Sequence, residues 1–412
     1  MNFNDKKLLE NLINKYSKKN LSYNTTYPLT DNNLLRTDIY KGIEVLLSGQ
    51  LTISEITKEF EYEFAQYIGA KYALMVNSGS SANLLAAFAL VSPRKKNFLR
   101  KGNEFLIPVL CWPTSLWPLA QAGLKPRFVD VDVNNFNMDV DEFKKKLTRK
   151  IKAIMTVHVL GNSTNIEEIA KIAKSKKIFL IEDNCESIGA KYNEKHLGTF
   201  GDFGTFSFYY SHQITSGEGG MVVCNSKEDY ELIYSMRSHG WSRRLKIKDT
   251  SFNFINSGFN LRPLEVSAAI GLSQFKRINS LIKSRIKNRE KIIKRLINSP
   301  LWNNQFSFLQ IAKNVKPSDF GLPILINKKY LAKKKKFFKF LQKKGIETRI
   351  IISGNFMNQP SIKLYNFNSR NENFPKAQEI ENRGFFIGLH SKSITEGILN
   401  YLEKNLLKID KL

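Results

Sequence analysis

Short apolar runs alternate with amphipathic stretches through the middle of the chain. Each run is rich in β-branched or aromatic side chains, and most are followed by a longer segment with apolar residues at helical spacing. This alternation is typical of parallel α/β folds. It predicts strands at 71–78, 103–110, 126–132, 152–161 and 177–184, and a further pair at 203–211 and 219–225.

A basic stretch, KRINSLIKSRIKNREKIIKRL (276–296), follows this alternation. Its apolar residues recur at near-helical spacing and leave lysines on the outer face, which predicts a connector helix. Beyond it, the strand candidates of a smaller α+β unit are 320–326, 347–353 and 384–390. Because 412 residues are too many for one core of ordinary size, we expect an N-terminal segment at 1–45, a large domain at 46–280 and a small C-terminal domain at 281–412.

The formal net charge of +27 indicates either a polyanionic partner or an anionic small-molecule substrate. The lysines concentrate in the connector helix and in 328–345, where they are typical of solvated faces, and no recognition motif for nucleic acid accompanies them. We therefore expect no nucleic-acid partner. The three cysteines lie far apart, so we expect no disulfide framework, metal site or iron–sulfur cluster. The lack of a long apolar run or signal peptide favours a cytoplasmic protein without a membrane partner.

The segment Asn77-Ser78-Gly79-Ser80-Ser81-Ala82-Asn83 lies where a predicted strand ends and a predicted helix begins. The free N–H groups and the dipole at a helix N-terminus favour an anion, and a glycine allows the backbone to approach it closely. The segment therefore indicates a phosphate cradle. A polar turn with a serine N-cap is the alternative interpretation.

Three more side chains follow predicted strands at the same edge of the sheet. Asp183 closes one strand, where an ionised carboxylate can keep a pyridine nitrogen protonated. Glu186, three residues later, would reach the same pocket. Trp112 follows another strand, and its flat ring could stack on a cofactor. A carboxylate at a strand end and a tryptophan in a core are also common without any such role.

The segment SFYYSHQITSGEGG (207–220) carries the most specific signal. Together with NSGSSANLL, IEDNCESIGA and GFNLRPLEVSAAIGL, it resembles the sugar aminotransferase (DegT/DnrJ/EryC1/StrS) family of fold-type I pyridoxal-phosphate enzymes. In that family a lysine precedes the T-x-G-E-G-G run by three residues and binds the cofactor as a Schiff base. Here the position is His212, and no lysine occurs between Lys195 and Lys227. An imidazole forms no stable Schiff base, but it can act as a general base near neutral pH.

The resemblance implies roles for individual residues. Gly79, Ser80 and Ser207 would hold the cofactor phosphate, and Trp112 would stack on the ring. Asp183 would pair with the pyridine nitrogen, and Glu186 would contact the side of the ring that bears the hydroxyl. Asn260 would reach the phosphate from the second subunit of a homodimer whose active site lies at the interface. The candidate substrate contacts are His239, Arg243, Arg262 and Arg349, of which the arginines suit a diphosphate.

The histidine departure resembles one branch of this family, the nucleotide-sugar 3-dehydratases of lipopolysaccharide deoxysugar synthesis. It implies pyridoxal or pyridoxamine 5'-phosphate bound without a covalent link, L-glutamate as amino donor and His212 as base. The reaction would remove the C3 hydroxyl of a GDP-4-keto-6-deoxyhexose and give a 4-keto-3,6-dideoxy sugar. The fold would be a large domain with a mainly parallel seven-stranded sheet plus a smaller C-terminal α+β domain.

Three alternatives stay open. A nucleotide-sugar aminotransferase could use an unusual base, although the lack of a lysine would slow amine exchange. A CDP-4-keto-6-deoxyglucose 3-dehydratase would carry an iron–sulfur cluster, but 237–245, where its cysteine-rich insertion would fall, contains no cysteine. An inactive polyanion-binding protein could keep the same fold.

Overall fold

The strands form from short runs whose residues are buried on both faces, as a sheet covered by helices requires. This computed structural model describes residues 3–16, 25–31, 34–243, 245, 252–365, 367 and 372–412. The strands are β1 (Tyr72–Val76), β2 (Glu104–Pro108), β3 (Lys125–Val129), β4 (Ile151–Val157), β5 (Phe179–Asp183), β6 (Lys191–Tyr192), β7 (Lys195–His196), β8 (Phe203–Ser207), β9 (Gly220–Cys224), β10 (Phe306–Phe308), β11 (Val315–Lys316), β12 (Gly321–Ile326) and β13 (Gly384–Gly388).

Seven strands form the central sheet, in the order β1-β9-β8-β5-β4-β2-β3. Strand β9 is antiparallel to both of its neighbours, whereas all pairs from β8 to β3 are parallel. The prediction of an α/β fold with a mainly parallel seven-stranded sheet is therefore confirmed. Because parallel strands end at one edge, the residues that follow β1, β2 and β5 meet there.

Helices cover this sheet on both faces. Alternate residues of β1 enter different cores: Leu74 and Val76 pack with the helix that follows β1, whereas Ala73 and Met75 pack with the helix that precedes it. The helices are α1 (Phe3–Tyr16), α2 (Arg36–Ser48), α3 (Glu55–Ile68), α4 (Gly79–Val91), α5 (Pro113–Gln121), α6 (Val140–Lys146), α7 (Ile166–Lys176), α8 (Lys227–Arg237), α9 (Glu265–Phe275), α10 (Ile278–Ile297), α11 (Lys334–Lys343), α12 (Pro375–Arg383) and α13 (Glu396–Leu406).

A smaller core surrounds the antiparallel sheet β10-β12-β13. The predicted strand at 347–353 is wrong, since this segment pairs at a single position, Arg349 with Phe386. Ile352 adopts a left-handed backbone conformation, with φ at 51°, which turns the chain out of an extended path. The three residues of β10 complete the sheet instead.

Helix α10 joins the two cores. Ile278 and Leu281, at its start, belong to a core of the large unit, whereas Ile292 and Leu296 belong to the core of the small unit. The predicted connector helix is therefore present. The domain boundary at 280 stays a prediction, because the helix packs into both units.

Residues 25–31, which we call the strap, lie across the small unit. The backbone N–H of Tyr27 donates to the carbonyl of Gly345, and its hydroxyl donates to the carbonyl of Gly388 at 2.9 Å. Asp31 accepts hydrogen bonds from the backbone and hydroxyl of Ser391. The strap thus ties a segment near the N-terminus to the C-terminal core. Among the residues that the structure describes, no helix is long and apolar enough to cross a membrane.

Candidate active site

The turn between β1 and α4 is built as an anion site. Ser78 caps the helix by accepting a hydrogen bond from the backbone of Ser81 at 3.1 Å. Gly79 lies so close to Ser207 that a Cβ at this position would come within 2.5 Å of the Ser207 Cβ, which leaves room only for glycine. The hydroxyl of Ser80 points to that of Thr114 at 3.2 Å. Hydroxyls and free helix N–H groups therefore converge where a phosphate could bind.

Asp183 is held in a fixed orientation at the end of β5. Its Oδ2 accepts hydrogen bonds from the Asn83 amide and the Ser115 hydroxyl, both at 2.7 Å, and its Oδ1 accepts from the backbone of Cys185 at 3.1 Å. All three donors are neutral, and the residue is only 4% exposed. A buried carboxylate with neutral donors favours a cationic partner, such as a protonated ring nitrogen.

Glu186 lies near Asp183 and accepts a hydrogen bond from the backbone of Leu160 at 3.0 Å. Leu160 has a positive φ of 52°, an uncommon conformation for leucine that directs its N–H at the carboxylate. Burial raises the pKa of Glu186 to about 7, and the charge of Asp183 contributes to the rise. This carboxyl group can therefore be neutral or charged near physiological pH.

Trp112 is the residue that precedes α5, and its side chain is 53% exposed. That exposure excludes a core tryptophan. An indole face left open at the carboxyl edge of the sheet is available to stack on a planar ring.

His212 lies in the loop between β8 and β9. Its ring contacts the edges of Tyr209 and Phe320, with ring centroids 5.9 and 5.1 Å away, and its Nδ1 is buried without a hydrogen-bond partner. Burial, and then the positive charge of Arg285, lower the pKa of His212 to about 3. The imidazole is therefore neutral at physiological pH, which is the form that accepts a proton.

The loop that carries His212 is joined to the Asp183 region through its neighbour Gln213. The side-chain amide of Gln213 donates to the carbonyl of Glu186 at 2.7 Å and to that of Ser318 at 3.0 Å. The structure thus brings the predicted base, the two acids and the anion site to one edge of the sheet.

The other predicted contacts fall into two groups. Arg243 and Arg262 line one pocket together with Trp241, and the Arg262 Nε donates to the Asn260 side chain at 3.0 Å. Asn260 is exposed and pairs through its backbone with Ser238. The adjoining carbonyl of Leu261 accepts from the backbone N–H of Asn77, so this group borders the anion site. His239 also lies beside this group, and its backbone N–H donates to the carbonyl of Phe259 at 2.7 Å.

Arg349 lies apart from this group, in a pocket beside the loop of His212. The residues that line this pocket are Pro28, Leu29, Thr30, Tyr209, Tyr210, Ser211, Phe320, Glu347, Arg349 and Phe386. Sequence reasoning missed Glu347, which lies two positions before Arg349 and accepts a hydrogen bond from the backbone of Leu29 at 2.9 Å. The sequence signal that could have indicated Glu347 as a site residue is its position two residues before the predicted contact Arg349.

The model of the DegT/DnrJ/EryC1/StrS aminotransferase family matches residues 36–402. The chain belongs to this family. GDP-4-keto-6-deoxy-D-mannose 3-dehydratase of Escherichia coli O55:H7 is 38% identical over 381 residues, which cover 89% of this chain and 96% of that protein. The family resemblance seen in the sequence is thereby confirmed.

Solved structures agree with this assignment. An E. coli GDP-4-keto-6-deoxy-D-mannose 3-dehydratase with bound hydrated PLP is similar at a TM-score of 0.86 and 38% identity, over 93% of this chain and 99% of that one. A GDP-4-keto-6-deoxymannose 3-dehydratase with a trapped PLP–glutamate geminal diamine gives 0.86 and 37%, over 92% and 100%. The expectation of fold type I is therefore confirmed.

Proposed function

We propose that this protein is a nucleotide-sugar 3-dehydratase that removes the C3 hydroxyl of a GDP-4-keto-6-deoxyhexose, with L-glutamate as amino donor. The observation that carries the proposal is His212, which occupies the lysine position of the family and offers a neutral imidazole without a competing partner at Nδ1. The full-length similarity to GDP-4-keto-6-deoxy-D-mannose 3-dehydratase supports the same activity.

The site fits pyridoxal or pyridoxamine 5'-phosphate. The close approach of Gly79 to Ser207 leaves a side-chain-free face at the N-terminus of α4, where Ser80 and Ser207 would hold the phosphate. Asp183, with only neutral hydrogen-bond donors, would hold the ring nitrogen in its protonated form, and Trp112 would cover the ring. When bound, this group supplies the amine that reacts with the keto sugar and a ring that accepts electrons.

His212 moves the proton in this mechanism. Because Nδ1 is buried without a hydrogen-bond partner, we assign proton transfer to Nε2, which would take a proton from carbon and deliver it to the departing C3 hydroxyl, so that the hydroxyl leaves as water. In the reaction with glutamate, Nε2 would carry the proton of the glutamate α-carbon in the same way. The imidazole forms no Schiff base, so the cofactor stays non-covalent. Glu186, whose pKa burial raises to about 7, would contact the ring hydroxyl.

Two sets of charged residues suit the substrate. Arg243 and Arg262 lie in one pocket next to the anion site and would bind the diphosphate, with His239 close by. Arg349 and Glu347 lie beside the loop of His212 and would bind the sugar or glutamate. The cytoplasm is the proposed location, since a charged nucleotide sugar does not cross a membrane unaided.

The proposed enzyme is a homodimer with its active sites at the interface. Apolar side chains that a monomer would leave in water surround the Asn260 region: Leu46, Leu47, Leu51 and Leu264 are all exposed. The backbone N–H of Glu265 donates to the carbonyl of Leu51, so Leu51 and Leu264 lie close together on this surface. Asn260 is exposed in this region, so we expect it to reach the cofactor phosphate of the partner.

Incubation with GDP-4-keto-6-deoxymannose, L-glutamate and pyridoxal phosphate tests the proposal. We expect a product that lacks the C3 hydroxyl, detected by mass spectrometry, together with 2-oxoglutarate. The matched control is His212→Asn, which should leave the sugar unchanged. A product in which an amine replaces the 4-keto group would assign the protein to the aminotransferases instead, and turnover of only the CDP sugar would overturn the choice of nucleotide.

A further inference from the structure

A buried arginine lies beneath the loop that carries His212. The buried stripe of α10 runs through Ile278, Leu281, Arg285, Asn288, Ile292 and Leu296, so the arginine occupies a position at which helical spacing calls for an apolar residue. Arg285 is 1% exposed and is among the largest fully buried side chains. A guanidinium at such a position is costly unless its charge and its donors are used.

The hydrogen bonds of Arg285 go to two backbone carbonyls next to the proposed base. Its Nη2 donates to the carbonyl of His212 at 3.2 Å, and its Nη1 donates to the carbonyl of Phe320 at 3.3 Å. The ring of Phe320 contacts the imidazole edge-on. One rigid guanidinium therefore fixes both the backbone of His212 and the residue that flanks its ring.

Two other polar residues of α10, Arg289 and Asn288, have different hydrogen-bond partners from Arg285. Arg289, one turn further along α10, donates to the carbonyl of Leu309 at 2.9 Å and lies 3.7 Å from Asp319. Asn288 binds the carbonyls of His390 and Lys392. The hydrogen bonds of these two residues tie α10 to other segments, whereas those of Arg285 go to His212 itself and to Phe320.

We propose that Arg285 is a positioning residue for His212: by binding the carbonyls of His212 and Phe320, it holds the loop and the imidazole in place. This inference rests on the proposed role of His212 as the base. Asp31 of the strap and Asp319, which precedes β12, are the carboxylates that act on the charge of Arg285. After burial, the charge of Arg285 is the second cause that lowers the pKa of His212.

Several charged and titratable groups surround His212 and Arg285. Tyr209 lies on the same loop as His212, Arg285 faces the loop from α10, and Asp31, Asp319 and Arg289 lie around Arg285. Removal of the arginine charge is expected to raise the pKa of His212 toward its ordinary value of 6.5, although burial still holds it below that value.

The test uses the full-length protein without cofactor, labelled with ¹³C at histidine Cε1. The chain has five histidines, and His212→Asn identifies the relevant resonance. Arg285→Met should raise the titration midpoint of His212 and, in the loaded enzyme, lower kcat by about tenfold to a hundredfold with little change in KM. Arg289→Met is the matched control, which should leave the midpoint of His212 in place.

Arg285→Lys keeps the charge but loses the paired donors. We expect it to keep a low midpoint while shifting the His212 resonance and lowering kcat, and this variant alone decides the question if Arg285→Met does not fold. An unchanged midpoint in Arg285→Met, an equal shift in Arg289→Met, or wild-type kcat and resonance in Arg285→Lys would each overturn the inference. Because the resonance is read without substrate, this outcome is independent of whether the protein is a dehydratase.

Discussion

Asn83 donates a hydrogen bond of 2.7 Å to the carboxylate of Asp183. Asn83 lies on α4, whose first residue is Gly79, and Asp183 ends β5. One helix therefore provides the anion site and also orients the acid. The distance between the phosphate site and the ring-nitrogen site is thus set by a rigid element rather than by a loop.

Asp183→Asn removes the charge that would stabilise a protonated ring nitrogen. We expect turnover to fall by about 10²–10³-fold, since an oriented charge is lost from a buried site. Asn83→Ala leaves the charge but frees its orientation and should have a smaller effect. Steady-state rates and titration of cofactor absorbance check both variants. Wild-type turnover in Asp183→Asn would contradict the assigned role.

Substitutions of His212 distinguish the two candidate activities, 3-dehydration and amino transfer. His212→Asn should lose about two to four orders of magnitude in rate because the base is removed. His212→Lys restores an amine and should lose most dehydration, form 4-amino sugar, and gain a phosphopyridoxyl group after borohydride reduction. The wild-type protein should stay unmodified under the same reduction, as intact mass will show. Full dehydratase activity in His212→Asn would mean that another group moves the proton.

Glu186 makes stability depend on pH. The pKa of Glu186 is about 7 in the folded protein and has its ordinary value of 4.5 in the unfolded chain. Between pH 4.5 and pH 7 the folded protein therefore holds a proton that the unfolded chain releases. The free energy of unfolding therefore falls as pH rises from 4.5 through 7. Glu186→Gln stays neutral and should be more stable than wild type by about 1–3 kcal/mol at pH 8, with little difference at pH 4.5. Denaturant unfolding of the cofactor-free protein checks this, with the exposed Glu167→Gln as control.

Turnover should need glutamate but neither iron nor a reductase. Cys111 and Cys224 are buried, Cys185 is partly buried, and three thiols are fewer than a conventional cluster requires. Dialysis against a chelator should therefore leave the rate unchanged, while omission of glutamate should limit an enzyme loaded with pyridoxamine 5'-phosphate to a single turnover. A rate that scales with iron content would favour the CDP-sugar branch.

Subunit mixing tests the interface. If Asn260 serves the partner's site, a mixture of His212→Asn and Asn260→Asp proteins, each of low activity, should regain activity through hybrid dimers that contain one intact site. Mixing His212→Asn with Asp183→Asn is the control. Because both residues belong to the same subunit's site, each site of that hybrid still carries one substitution, and no activity should return. Sedimentation should show a dimer, and failure of the first mixture to recover would oppose a shared site.

The sequence predicted the large sheet because its strands are continuous buried runs, and it placed Asp183 because a strand end is easy to recognise. It missed β6, β7 and β11, which have two residues each and carry no period. The prediction of a strand at 347–353 was wrong because the backbone turns at Ile352, so the segment does not form a continuous row of strand hydrogen bonds. The pairing of β6 with β11 and the single bridge from Arg349 to Phe386 are non-local, whereas β6 and β7 form a short local hairpin.

Arg285 shows why part of the site could not be predicted. Within a helix rich in lysine and arginine it resembles one more solvated charge, and only the packing of α10 reveals that it belongs to the buried stripe. Glu347 is similar, since its partner Leu29 is 318 residues away. Spacing along a sequence conveys which face a residue occupies, but not which distant carbonyl or amide it meets.

The strap has a consequence for how the protein is made. Its hydrogen bonds span 318 residues from Leu29 to Glu347 and 361 from Tyr27 to Gly388. At ribosomal speeds of about 5–20 residues per second, Leu29 waits roughly 15–60 s for its partner to emerge. The pocket beside His212 is therefore one of the last parts of the molecule to close, and a chain released before its C-terminal strands are translated has the sheet but no finished pocket.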